Sequence, residues 1–205
     1  MSNSKKNKGL VGKIVFRVIT ALLALTIIPA AIYLPLVKIV ASTSLMEYGV
    51  GEEISISELG NYVKAEDIQK LFSGENEMTE AIKSLIAPLV CFAVFFILAM
   101  IMSLVVFGFA LCSNMKKTIL FESLGGVALM IAAIVSFSKA ANLIIDGTVS
   151  VKELLGGGFL SGIISLFVDI STLHLASAPF IMIVSFVVII AWTGAFLMTE
   201  IGEKK

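Results

Sequence analysis

Residues 148–167 read TVSVKELLGGGFLSGIISLF, oily enough to pass for a membrane span yet interrupted by Gly156, Gly157 and Gly158. Whether this stretch crosses the membrane decides whether the chain spans it an odd or an even number of times. Its continuous apolar part, from Gly158 to Val168, is about eleven residues, or roughly 17 Å of helix against about 30 Å of hydrocarbon. A crossing here would also place Lys204 and Lys205 opposite the basic N-terminal tail, against the positive-inside bias. The stretch is therefore expected to lie in the interface. Phe159, Leu160, Ile163, Ile164 and Phe167 share one helical face, and Ser161, Gly162 and Ser165 share the other.

With that stretch excluded, four runs remain that are long and apolar enough to span. They lie at about 14–41, 81–112, 118–145 and 177–199. A 1–13 tail precedes them, and outer loops of about 42–80 and 146–176 separate them. Apolar residues make up 58% of the chain and the mean hydropathy is +1.03. Runs that are apolar all round mean lipid rather than a soluble core, and their continuity excludes a β-barrel, whose strands alternate. The expected fold is an all-α membrane protein. It is a four-transmembrane-helix bundle with short capped or amphipathic helices in the two outer loops. Val18–Val37 carries no charge, and Pro29 and Pro35 are expected to kink the outer half of this first span. Pro88 is expected in the first turn of the second span, where proline is tolerated. In the first outer loop, Ile68, Leu71 and Phe72 fall on one face of a short surface helix.

A net charge of zero conceals a segregation. Nine basic against three acidic residues give +6 on the side of the termini and the SNMKK turn. Six basic against twelve acidic give −6 on the side of the two long loops. The positive-inside bias makes the first side cytosolic, in a plasma (cytoplasmic) membrane. The short basic runs suit anionic lipid better than nucleic acid.

Both outer loops carry a helix-start pattern. Ser55 and Glu58, flanked by Ile54 and Leu59, form a capping box with a hydrophobic staple, and Ser150 and Glu153, flanked by Val149 and Leu154, form a second. Ala128, Ala132, Ser136 and Ala140 recur every four residues on the third span, a ladder of small side chains that lets another helix approach closely. Glu122 is the one acid inside an apolar run. It stands near the inner end of a helix, where its charge is favoured, or else serves ion coupling. Hydroxyls at Thr20, Thr26, Ser103, Ser136, Ser138, Ser185 and Thr193 are scattered over the spans.

Cys91 and Cys112 share one run, roughly 30 Å apart as helix, too far to bridge. His174 is the sole histidine, short of the three or four ligands that zinc takes. No catalytic constellation, cofactor fingerprint or metal set stands out. In topology alone the layout resembles that of claudins and connexins. The claudin Trp-Gly-Leu-Trp signature and the connexin loop cysteines are absent, so no residue role follows from the likeness. The function expected is that of a non-enzymatic structural or accessory subunit of a membrane assembly. It would sit in the lipid bilayer beside a membrane-protein partner or further copies of itself. A small oligomeric channel or transporter for a small solute or ion is the alternative.

Overall fold

The computed structural model describes residues 2–43, 46–58, 80–112, 115–146 and 168–202. In chain order the elements are α1 (Ser2–Tyr33), β1 (Pro35–Thr43), β2 (Met46–Ser55), α2 (Glu80–Cys112), α3 (Lys116–Ile145), β3 (Val168–Leu175) and α4 (Ser177–Gly202). Each helix holds a segment long and apolar enough to cross a bilayer: Val11–Tyr33, Ser84–Cys112, Lys116–Ile145 and Ser177–Thr199. Only 22–33% of the most apolar window of each is buried, so most of the apolar surface faces outward, as lipid-solvated helices require. The chain is a multi-pass α-helical membrane protein with four spans.

The first span is shorter than its apolar run suggested. Helix α1 keeps Pro29 inside it but stops at Tyr33, and Pro35 opens β1 rather than kinking a longer helix that reaches residue 41. Pro35 has no N–H to continue the ladder, and its ring pushes Leu34 out of the α region. The β-branched Val37, Ile39 and Val40 then favour strand. Helix α2 begins at Glu80, so Pro88 is interior to it instead of lying in its first turn. At the α2–α3 turn, the Ile119 N–H bonds the Met115 carbonyl at 3.0 Å and opens α3.

Three strands form an antiparallel sheet in the order β2-β1-β3, an element the sequence reading did not contain. Strand β1 comes from the end of the expected first span, β2 from the loop after it, and β3 from the loop before α4. Register shifts interrupt both pairings. Between β1 and β3, Val40 faces Thr172 and Ala41 faces Ile170, which leaves Ser171 without an opposite residue as a bulge. The sheet joins the spans with almost no linker: one residue separates α1 from β1, and one separates β3 from α4. The Ala176 N–H bonds the Leu36 carbonyl at 3.0 Å, tying those two junctions together.

The chain divides into two compact units. The first comprises Met1–Ala31, Phe95–Ile131 and Phe180–Lys205, and its core is built from Phe16, Ala24 and Ile27 of α1, Ala99 and Val106 of α2, Ile119 and Met130 of α3, and Met182, Phe186 and Ile189 of α4. The second comprises Ile32–Val94 and Ala132–Pro179, and it holds the sheet and buries Leu36, Leu85, Phe92, Phe137, Ala140 and Ala178. Along α3 the buried positions Ile119, Ser123, Gly126, Met130, Ala133, Phe137 and Ala140 step alternately by four and three. That 3.5-residue repeat is the seam of coiled-coil-like packing.

Candidate functional site

The small-residue ladder and this seam meet at one position. Ala140 is buried, Ala132 and Ser136 are half-buried and Ala128 is exposed. The close approach occurs at Gly126 instead, a residue the four-residue spacing passes over. A Cβ there would lie 2.5 Å from the ring of Phe186, which is fully buried.

Two layers of hydroxyls interrupt the apolar core of the first unit. The Phe16 and Phe196 rings meet at 5.0 Å and align α1 with α4. One turn on along each helix stand Thr20 and Thr193, so they share a layer roughly 5–6 Å from the ring contact. Gly126 against Phe186 aligns α3 with α4, and one step back toward the rings brings Ser123 level with Ile189. Ser103 donates to the Ala24 carbonyl at 2.6 Å, and Ala24 is one turn beyond Thr20. The second layer therefore holds Ser103 and Ser123. Thr20, Ser103, Ser123 and Thr193, one from each helix, are fully buried.

Exposed hydroxyls behave differently. Ser138 and Ser185 bond the carbonyls of Ile134 and Ile181 one turn back, and Thr26 bonds that of Leu23. Among the described residues the hydroxyls of Thr20, Ser123 and Thr193 have no hydrogen-bond partner, and neither do Arg17 Nε and Trp192 Nε1. An unsatisfied hydroxyl in an apolar medium costs about 1–3 kcal/mol, so this is where the core departs from plain packing. Sequence reading singled out Thr20, Ser103 and Thr193 but not Ser123, whose signal is the four–three spacing.

Lys116 closes the core at the ring contact. It is 4% exposed, and its ammonium sits 5.3 Å from the centroids of both Phe16 and Phe196. The indole of Trp192 packs edge-on against Phe196 at 5.1 Å. Glu122 is half-buried, one residue ahead of Ser123. Among the described residues no three His, Cys, Asp or Glu side chains gather as a metal site.

On the sheet, Glu53, Lys38 and His174 lie opposite one another across the three strands, and all three are exposed. Lys38 Nζ and Glu53 Oε1 are 3.0 Å apart. With both side chains about half exposed, the pair contributes about 0–1 kcal/mol.

At the end of β2 the first capping box forms in part. The Ser55 N–H donates to Glu58 Oε2 at 2.8 Å, and the Ser55 hydroxyl donates to the same oxygen. Residues Ile56–Glu58 are helical. These two bonds, the backbone one foremost, hold the Glu58 carboxyl below the usual carboxylate range. The second box, Ser150 and Glu153, lies outside the described residues, as do the interfacial stretch 158–167 and the expected helix over 64–72.

A test of the first box follows from these bonds. Glu58→Ala is expected to speed hydrogen exchange at the Ser55 amide, whereas Ser55→Ala leaves that amide's acceptor in place and has the smaller effect. Because the folded carboxyl titrates lower than the unfolded one, protection should hold above the ordinary carboxylate range. It should fade as pH falls through the lowered value. Equal exchange in both variants would show that the amide bond is not what protects this corner.

No family model, no curated protein and no solved structure matches this chain.

Proposed function

We propose that the chain is a non-enzymatic subunit of a membrane assembly, structural or accessory, whose outer sheet presents a charged row to a neighbouring membrane protein or a second copy. The observation that carries this is the sheet itself. It draws its strands from the segments that follow α1 and precede α4 and runs into both helices through single-residue joints, so it is continuous in sequence with two of the spans. The charge segregation adds the orientation: a plasma (cytoplasmic) membrane, sheet outside, both termini in the cytosol. Native membranes solubilised in mild detergent should yield the chain within a complex larger than its own 21.9 kDa. Reversing the row with Lys38→Glu and Glu53→Lys, each alone, should shrink that complex. A monomer in the wild type would contradict the reading.

A second reading, a small channel or transporter, draws support from the two hydroxyl layers. Under it, Thr20→Val together with Thr193→Val should abolish solute or ion flux in liposomes. Under the first reading, wild type and variant carry none.

A further inference from the structure

Within the second unit, α2 and α3 pack along one seam. Leu85 rests on Ala140, and the Phe92 and Phe137 rings meet at 5.3 Å. Beside that seam opens a groove of about 550 Å³. One wall is Ser84, Ala87, Pro88 and Cys91 of α2, and the other includes Ser136, Lys139 and Asn142 of α3. Both walls belong to membrane-spanning segments, so the medium that meets the groove is lipid.

We propose that this groove seats one anionic phospholipid, with an acyl chain along Ala87, Pro88 and Cys91 and the phosphate held by Lys139 and Asn142. The cation makes the case for the headgroup. Lys139 lies six residues, roughly 9 Å along the helix, short of the end of α3 at Ile145. A cation at that depth is costly unless it snorkels to the interface or finds a counter-charge. Lys139 is exposed and makes no ion pair among the described residues. The nearest acid of described side chain along this segment is Asp146, just past the end of α3 and two turns further on. Asn142 stands one turn from Lys139 toward the helix end, where its amide can donate to the same phosphate. Apart from Ser84 at its end, the wall of α2 offers a proline, an alanine and an exposed thiol, a surface that suits a chain. The volume falls in the range of about 300–1,000 Å³ that ligand sites occupy. The inference is independent of the assembly and transport readings.

The test is lipid retention by the purified full-length chain, read by native mass spectrometry after mixing with phosphatidylglycerol and phosphatidylcholine in equal amounts. The wild type should keep one phosphatidylglycerol with about fivefold preference, the size of one lysine's attraction to an anionic headgroup. Lys139→Gln should bring the ratio close to one, and Lys139→Arg should preserve it. Lys117→Gln, at the far end of α3, should change nothing. Ala87→Phe, which fills the groove, should reduce retention of both lipids. Lys139 and Ala87 are exposed, so each variant should keep its helices, which circular dichroism checks. A wild-type ratio near one, a preference that survives Lys139→Gln, or unchanged retention in Ala87→Phe would overturn the proposal.

Discussion

Gly126→Leu is expected to prevent the first unit from packing, whereas Gly125→Ala should leave it nearly intact. The two glycines are neighbours in sequence but not in environment. A Cβ at Gly125 would meet the terminal methyl of Met102 at 2.8 Å, the free end of a flexible side chain that can move aside. A Cβ at Gly126 would meet three ring atoms of Phe186 at 2.5–2.8 Å. That ring is fully buried between Met182 and Ile189, one turn to either side, themselves fully buried. Overpacking of this kind costs about 1–3 kcal/mol, occasionally more, and leucine adds three further carbons. Phe186→Ala alone leaves a cavity and costs about 3–5 kcal/mol, but combined with Gly126→Leu it should recover part of both losses. Melting followed by size-exclusion chromatography in detergent checks this. A double variant no more stable than the worse single one would show that Gly126 and Phe186 do not share a site.

Lys116→Glu is the second substitution with a large expected effect. The ammonium is buried against two phenyl faces, and a desolvated cation–π contact is worth about 2 kcal/mol or more. Glutamate would set a buried negative charge against the negative faces of the same rings, so the loss exceeds that of Lys116→Met, which keeps a flexible stem of similar length. The expected order of melting temperatures is wild type, then Lys116→Met, then Lys116→Glu. Equal stability of the wild type and Lys116→Met would show that the ring contact contributes nothing.

The spans were legible because their signal is length and charge, which need no packing information. Four long apolar runs were enough to show four spans. The sheet was not legible, and the reason lies in two places. Val18–Val37 is free of charge on both sides of Pro35, so hydropathy alone does not show where helix gives way to strand. The β-branched run after Pro35 was the available signal. In β3 the apolar residues alternate at Val168 and Ile170, then at Leu173 and Leu175. The bulge at Ser171 shifts the phase and hides the period of two.

The candidate sites divide in the same way. The Ser55–Glu58 pairing is local in sequence, and its spacing revealed it. The seam through Ser123 and Gly126 follows a 3.5-residue repeat, which a search at four-residue spacing meets only at Ala140. Phe186, the ring that makes Gly126 indispensable, is sixty residues away, and only packing brings it there.

Single-cysteine labelling in intact cells tests the central claim, four spans with the sheet outside. In a background carrying Cys91→Ser and Cys112→Ser, Glu53→Cys reports the sheet and Met115→Cys the α2–α3 turn. Both positions are exposed. A membrane-impermeant maleimide is predicted to label position 53 from outside and position 115 only after lysis. Labelling of both positions from the same side, or of position 115 alone in intact cells, would contradict the account.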